Sequence, residues 1–264
     1  MPTFELDDVT QHALGRALAR ASRAEVHFDA PRRALYAGDG AGRGPMPLGV
    51  LIPKSLDDVL EAMTVCHRLG VPVLPRGGGT GWGAESLGEA LVVDFSQYLH
   101  HIVELDPLRR RVRLQGGALL DTAAAAAGRY GLGLGAVPGS HAQSSIGGAI
   151  GTNACGAGLG LLLRDRIESL DLLTYDGVQL RVEATSEAQM AHLIDAGGRR
   201  GAIYAALRDL VRAHGDLWRR AWPRLDRQMV GYNLPALLPE RGCHIARALV
   251  GAAGRCAVVL EASL

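Results

Sequence analysis

Short apolar runs and segments of helical periodicity alternate along the first half of the chain. The spacing of Val9, Leu14 and Leu18 predicts a first helix over residues 7–22. An apolar run predicts a buried strand at 48–53, and Ser55 is typical of the N-cap of a helix that continues to about Leu69. Glycine and proline between residues 32 and 47 predict an irregular arm. Further strands are predicted at 71–75, 91–94, 102–105 and 111–115.

The second half of the chain favours a meander of strands with helices between them. Helices are predicted at 118–130, 186–195, 202–214 and 244–250, a hairpin at 169–174 and 178–182, and a last strand at 257–261. This order of elements favours an α+β fold. We divide the chain into an N-terminal helix and arm (1–46) and one domain (47–264), whose two lobes cover about 47–110 and 111–264.

Composition and charge narrow the class of protein. The chain has 264 residues, of which 48% are hydrophobic and 21% charged, as is usual for a globular protein. Its net charge of +1 gives no electrostatic basis for binding nucleic acid. No apolar run approaches the roughly 18 residues of a membrane span, and the acidic N-terminus lacks the core of a signal peptide. We therefore expect a cytoplasmic protein that reaches an inner membrane only through partners.

The cysteines and histidines form no metal-binding motif. The four cysteines are widely spaced and predict reduced, structural thiols: Cys66, Cys155, Cys243 and Cys256. None of the nine histidines stands at metal-ligand spacing, so no metal site is predicted. Arg111 and Arg113 alternate on a predicted strand, which indicates a solvated basic face.

Glycine is over-represented in this chain: its 35 residues are about twice the usual share. The glycines concentrate at 77–83, directly after a predicted strand, and at 131–160. A Walker loop would need a lysine after its last glycine, and the single lysine, Lys54, lies upstream. A Rossmann turn would need a sixth-position glycine before a helix, where Trp82 stands. What remains is either two flexible surface loops or a nest of amides for a diphosphate, with Ser145 and Asn153 as further donors.

These two blocks resemble the FAD-binding domain (PCMH or vanillyl-alcohol-oxidase type) of the FAD-linked oxidases. The resemblance rests on PRGGGTGW at 75–82, PGS at 138–140 and SIGGAIGTNACG at 145–156. It is strongest to the D-lactate dehydrogenase, glycolate oxidase and D-2-hydroxyglutarate dehydrogenase group, through residues 48–53, 172–177 and 231–240. The resemblance implies a small lobe of parallel strands and a larger lobe with an antiparallel sheet.

The resemblance also implies where FAD would bind. The amides of residues 76–82 would hold its diphosphate, residues 138–140 and 144–156 would line the isoalloxazine and ribityl chain, and a closing segment at 254–258 would touch the cofactor. Some relatives attach FAD through a histidine where this chain has Gly79, so the implied FAD is noncovalent. The implied cofactor-binding residues are Arg76, Gly77, Gly78, Gly79, Thr80, Gly81, Trp82, Pro138, Gly139, Ser140, Ser144, Ser145, Ile146, Gly147, Gly148, Thr152, Asn153, Cys155, Gly156, Gly254 and Val258.

The implied reaction moves a hydride from the α-carbon of a 2-hydroxy acid to flavin N5 while a base takes the hydroxyl proton. The electrons would pass to a quinone, a cytochrome or an iron–sulfur protein. The general base is not identified by sequence, and His141, inside the second glycine block, is the candidate proton-handling group.

The chain departs from this family at two places. Leucines at 161–163 replace a small residue and a hydroxyl beside the cofactor, and the chain stops where relatives continue into a domain that caps the flavin. Several alternatives therefore stay open: a subunit completed by a separate cap or iron–sulfur partner, a FAD-binding protein without turnover, and a remnant that no longer binds FAD. An NAD(P)H-dependent reductase on the same fold is a further alternative.

Overall fold

The computed structural model describes residues 8–83, 85–135, 138–156, 162–223 and 231–264. Within these ranges helices and strands mix along the chain, which confirms the predicted α+β class. The helices α1–α8 span Asp8–Ala21, Ala30–Leu35, Leu56–Leu69, Leu120–Gly128, Ile146–Thr152, Glu187–Asp195, Gly198–Ala221 and Ile245–Leu249. The strands β1–β11 span Glu25–His27, Gly38–Asp39, Gly42–Arg43, Gly49–Ile52, Val73–Arg76, Leu91–Asp94, Ile102–Asp106, Arg111–Gln115, Ser169–Thr174, Gln179–Val182 and Ala257–Ser263. No helix in these ranges is long and apolar enough to cross a bilayer.

The first sheet has four strands in the spatial order β1–β4–β6–β5. Strands β4, β6 and β5 run parallel, and β1 pairs antiparallel with β4. Helix α3 connects β4 to β5 and begins at a capping box: Ser55 Oγ accepts the Asp58 amide at 3.2 Å, and the Asp58 carboxylate accepts the Ser55 amide at 3.0 Å. The predicted start and end of this helix are confirmed.

Helix α1 packs against the first sheet, and β1 is one of its strands. Leu14 and Leu18 of α1 are fully buried in its core, and β1 extends its edge. The irregular arm that we predicted is wrong in part, because Asp29 accepts the Arg32 amide at 3.0 Å and caps the helix α2. The next residues form the small hairpin β2–β3. Asp7, where we began the first helix, lies outside the described residues.

The second sheet is antiparallel throughout, in the order β10–β9–β11–β8–β7. The hairpin predicted at 169–182 is confirmed as β9–β10. Strand β7, which we assigned to the first lobe, pairs with β8, so a boundary near residue 110 would pass through this hairpin. Helix α7 runs to 24 residues, well beyond the predicted 202–214.

The two sheets share part of their core. One face of the second sheet packs with α4, α5 and α8 in one apolar cluster. From its other face, Leu173, Val258 and Leu260 enter the cluster of the first sheet, where they join Leu51 and Leu91. The two sheets are therefore joined by apolar side chains from both.

Arg111 and Arg113 lie on the solvent-accessible face of β8, as predicted, but their charges are paired with carboxylates. Arg113 lies 3.1 Å from the Asp171 carboxylate and 2.5 Å from that of Glu261, whose side chain is 9% exposed. Arg111 pairs with Glu168. Sequence spacing alone did not reveal this pairing because the carboxylates come from strands β9 and β11 and from the segment before β9.

Candidate functional site

The first glycine block follows β5 directly, at the carboxyl end of the parallel strands. The pairing of β5 with β6 ends at Arg76 and Asp94, where Phe95 donates its amide to the Arg76 carbonyl at 2.9 Å. Open α/β sheets bind ligands beyond the carboxyl ends of their strands. The glycine loop, residues 77–83, therefore begins where such a sheet offers a crevice.

The second glycine block lies directly against this loop. A Cβ on Gly77 would overlap the Ser145 hydroxyl, and one on Gly78 would overlap the Gln143 carbonyl oxygen. The Thr80 and Ser144 hydroxyls are hydrogen-bonded at 3.0 Å. The two blocks predicted to share one site are thus brought together, and only glycine fits at the two contact positions.

A helix inside the second block, α5, was not predicted. Ser145 caps it by accepting the Gly148 amide at 3.2 Å, and the helix ends at Asn153 in the left-handed region with φ of 48°. Gly147 donates its amide to the Gly116 carbonyl at 2.8 Å, which seats the helix on the turn between β8 and α4. Glycine and threonine occupy four of the seven positions of IGGAIGT and have low helix propensity. The helix is therefore stabilised by the hydrogen bond to Gly116 and by the Ser145 cap.

Two predicted cofactor donors make hydrogen bonds within the protein. The Ser145 hydroxyl is the cap of α5. Asn153, 2% exposed, accepts the Arg164 amide on its side-chain oxygen at 3.2 Å. Of the leucine run at 161–163, Leu162 and Leu163 are buried, and Leu163 lies in the core cluster of the second sheet. Leu161 lies outside the described residues, as do residues 157–160 of the second glycine block.

The closing segment that we predicted at 254–258 lies beside both glycine blocks. Ala253 donates its amide to the Gly151 carbonyl of α5 at 3.0 Å, and a Cβ on Gly254 would lie 3.3 Å from the Pro75 ring. A cavity of about 250 Å³ opens next to it, lined among others by Met63, Pro75, Tyr175, Gly254, Cys256 and Val258. Val258 itself is 4% exposed and belongs to the shared core.

Cys256, which lines this cavity, is hydrogen-bonded to a phenol. Its Sγ and the Tyr232 hydroxyl are 3.0 Å apart. This hydrogen bond is the main cause that raises the pKa of Tyr232 to about 12, and burial is the second. The phenol therefore stays neutral at physiological pH.

His141 has a carboxylate partner that sequence reasoning missed. Its Nδ1 is hydrogen-bonded to Oδ1 of Asp121, in the first turn of α4, and both side chains are about half exposed. A turn in which the His141 amide donates to the Pro138 carbonyl at 3.0 Å holds the imidazole here. Because the two residues are 20 positions apart in different elements, their pairing has no signal in the sequence.

The remaining predicted residues flank this centre. Ser140 and Ser144 are linked through their hydroxyls at 2.9 Å. Trp82 is 84% exposed at the end of the glycine loop. Cys155 forms an isolated backbone bridge with Leu162. Among the described residues, no group of three possible metal ligands comes together.

The arrangement fits a dinucleotide diphosphate. Five of the seven residues of the loop 77–83 are glycines, and its Thr80 hydroxyl is linked through that of Ser144 to that of Ser140. Such a concave run of backbone amides binds anions without a lysine. The second block contacts the loop at Gly77 and Gly78, and the segment after Val250 contacts the second block at Gly151.

Comparison with known proteins identifies the class. Residues 47–183 match the family model described as FAD binding domain. The chain is 30% identical over 248 residues to a D-2-hydroxyglutarate dehydrogenase of Pseudomonas putida, which covers 92% of this chain and 25% of that protein. It is 34% identical over 139 residues to the glycolate oxidase subunit GlcD of Escherichia coli K12, covering 51% of this chain and 28% of the subunit. Against the mitochondrial D-lactate dehydrogenase [cytochrome] of Kluyveromyces lactis it is 28% identical over 169 residues, 61% of this chain and 28% of that enzyme.

The chain belongs to the FAD-binding domain family of the FAD-linked oxidases, and FAD is its cofactor. The resemblance seen in the two glycine blocks is thereby confirmed. The chain spans about a quarter of the length of the curated relatives it matches.

Proposed function

We propose that this chain is the FAD-binding module of a flavin-dependent 2-hydroxy-acid dehydrogenase or oxidase of the D-lactate and glycolate type. The observation that carries the proposal is the contact between the two glycine blocks at Gly77, Gly78 and Ser145, which supports a single site built from both. The family match and the names of three groups of relatives support it.

We propose that FAD lies noncovalently between the two sheets, which act as the two lobes. The glycine loop would hold the diphosphate, and residues 138–140 and 144–156 would line the flavin and its ribityl chain. The cavity beside Gly254 and Val258 would take the adenine end, since its volume of about 250 Å³ and its largely apolar lining suit a purine. Gly79, at the position where relatives attach FAD covalently, offers no nucleophile.

When bound, FAD supplies the hydride acceptor, and the chain supplies orientation, exclusion of water and proton transfer. The hydrogen bond from His141 Nδ1 to the Asp121 carboxylate leaves Nε2 as the basic nitrogen of the imidazole. In our proposal this nitrogen takes the hydroxyl proton of the substrate. Asp121 then stabilises the imidazolium, as a carboxylate does for a catalytic histidine.

The proposal includes partners. The substrate is a small 2-hydroxy acid, and a quinone, a cytochrome or an iron–sulfur protein receives the electrons. A cap domain or a separate cap or iron–sulfur subunit supplies the other groups that contact the substrate. We propose a cytoplasmic location, with any contact to an inner membrane made through these partners.

The test is a flavin spectrum and a FAD titration of the purified chain, with glycine variants of the contact. Gly78→Ala should weaken FAD binding by tenfold or more, because its Cβ would displace the Gln143 carbonyl and separate the two blocks. Gly133→Ala is the matched control, since a Cβ there meets nothing within 4 Å. A wild-type chain that is purified without flavin and binds no added FAD would refute the proposal.

Turnover separates the enzyme from its alternative, a FAD-binding protein without activity of its own. The measurement is reduction of an artificial acceptor with D-lactate, glycolate or D-2-hydroxyglutarate. Activity that appears only after a cap-bearing partner is added supports the module proposed here. A flavin-loaded chain that remains inactive with every such partner supports the alternative.

A further inference from the structure

Residues 36–44 of the predicted arm, called the arm from here on, cover one side of the glycine loop. Gly40 donates its amide to the Gly79 carbonyl at 3.1 Å. A Cβ on Gly40 would lie 2.6 Å from the Gly81 carbonyl oxygen, so arm and loop are in van der Waals contact. The hairpin β2–β3 is closed by the Gly44 amide, which donates to the Ala37 carbonyl at 2.8 Å.

The side chain of Arg76 binds the arm. Its guanidinium donates to the carbonyls of Tyr36 at 3.2 Å and Gly38 at 2.6 Å, and also to that of Ser86 at 3.2 Å. Its Cζ lies 5.4 Å from the centre of the Tyr36 ring. None of these partners carries a charge. The Arg76 guanidinium therefore acts here as a planar group of hydrogen-bond donors that bridges three carbonyls and an aromatic ring.

Two further hydrogen bonds fasten the arm, through Asp39 and Tyr36. The Ser86 hydroxyl donates to the Asp39 carboxylate at 3.0 Å. The Tyr36 hydroxyl donates to the buried Asp94 carboxylate at 2.7 Å, and burial together with this bond raises the pKa of Tyr36. Asp94 is in register with Arg76 across strands β6 and β5, so arm, loop and sheet meet at one point.

We infer that Arg76 is a positioning residue whose side chain fastens the arm to the glycine loop and thereby sets the shape of the loop that holds the diphosphate of FAD. The inference rests on the proposed function for its ligand. In this inference the backbone amides of the loop bind the phosphates, and the Arg76 guanidinium binds the carbonyls of the arm.

Trypsin and FAD titration together test this inference. Arg43 is exposed within the arm, and the turn at Arg109 and Arg110, beyond β7, provides a comparison site away from it. Arg76→Gln should speed cleavage after Arg43 severalfold while cleavage at the comparison turn stays unchanged. FAD should slow cleavage after Arg43 in the wild-type chain and do so less in the variant.

The binding measurements separate positioning from direct contact with phosphate. Arg76→Gln and Gly40→Ala should each weaken FAD binding by about tenfold, and the double variant should be hardly weaker than either, because both disrupt the same contact between arm and loop. Arg76→Lys should also bind weakly, since one ammonium does not span three carbonyls. Gly133→Ala again serves as the control.

Each other outcome overturns the inference. One such outcome is unchanged cleavage after Arg43 together with additive losses of FAD affinity in the double variant, or with near-normal FAD binding by Arg76→Lys. It would mean that Arg76 contacts the phosphate itself. Faster cleavage with unchanged FAD affinity would mean that the arm does not shape the loop. A wild-type chain that binds no FAD refutes the proposed function instead, and the proteolysis still decides whether Arg76 fastens the arm.

Discussion

Individual residues at the candidate site are constrained by what lies next to them. Gly77 and Gly78 are enclosed by the second glycine block, and the Ser145 hydroxyl that would meet a Cβ at position 77 is itself committed to capping α5. His141 is likewise fixed by one neighbour, the Asp121 carboxylate. The groups that we propose for binding and proton transfer therefore have partners within the protein before any ligand arrives, and such preorganisation lowers the cost of binding.

The tautomer of His141 is a direct test of this arrangement. We expect nitrogen-15 chemical shifts to show the Nδ1-protonated ring in the wild-type chain and a shift toward the Nε2-protonated form in Asp121→Ala, because the acceptor is lost. Turnover of the assembled enzyme should fall about 10–100-fold with FAD affinity unchanged. His192, exposed on α6, provides the internal control. Equal tautomer populations in both proteins would contradict a positioning effect of Asp121.

His244 makes the stability of the fold depend on pH. It is 9% exposed, its Nδ1 accepts the Arg247 amide at 3.4 Å, and burial followed by the nearby Arg247 charge lowers its pKa to about 4. The unfolded chain, with an ordinary histidine pKa of about 6.5, binds the proton first as pH falls. The neutral ring therefore contributes stability above pH 6.5 that is lost progressively toward pH 4.

The measurement for His244 is the free energy of unfolding in urea between pH 7.5 and 4.5. We expect roughly 2–3 kcal/mol of the wild-type loss over this range to be absent in His244→Asn. Asparagine keeps an acceptor for the Arg247 amide, so the cap of α8 is retained. Parallel pH curves for the two proteins would show that His244 is not the titrating group.

At the scale of elements, local signals predicted those parts of the fold that local interactions stabilise. The α3 capping box and the β9–β10 hairpin have contiguous signals, and both are confirmed. Helix α5 was missed because its glycines have low helix propensity and because Gly116, which accepts the Gly147 amide, is 31 positions away in the sequence. The pairing of Arg76 with the arm was missed for the same reason, since its partners at 36 and 38 are distant in sequence.

Two glycines of α5 should respond oppositely to alanine. A Cβ on Gly151 would lie 3.6 Å from the nearest atom of Ala253, an ordinary contact, so Gly151→Ala should raise the free energy of unfolding by about 0.5–1 kcal/mol through helix propensity. A Cβ on Gly147 would lie 2.9 Å from the Gly116 carbonyl oxygen, so Gly147→Ala should lower it by roughly 1–3 kcal/mol. Urea unfolding checks both. Equal effects of the two substitutions would contradict the seating of α5 on Gly116.

At the scale of the whole molecule, the two sheets are joined by apolar side chains that the second sheet places in the first core. Leu173, fully buried, is in β9 and packs with the cluster that holds Cys66 and Leu91. The proposed site draws on both sheets: the glycine loop follows β5, and Gly254, just before β11, lies against Pro75 of β5. The geometry of the site therefore depends on the two sheets keeping their relative position.

This junction predicts that both sheets unfold in one transition. Cys66 is fully buried in the first core, and burial raises the pKa of its thiol to about 12, so its alkylation reports opening of that core. Trp218, 6% exposed in α7, lies in the cluster of the second sheet, so tryptophan fluorescence reports mainly on that part. The two urea midpoints should coincide in the wild-type chain.

Leu173→Ala should lower both midpoints together, with a loss of about 2–5 kcal/mol, since it leaves a cavity in a core that both sheets share. Leu217→Ala, more than half exposed on α7, is the matched control and should cost little. If alkylation of Cys66 instead preceded the fluorescence change, or if Leu173→Ala moved one midpoint alone, the sheets would be independent units. A crevice between independent units would have to be ordered by the cofactor itself, and FAD would then shift the two midpoints by different amounts.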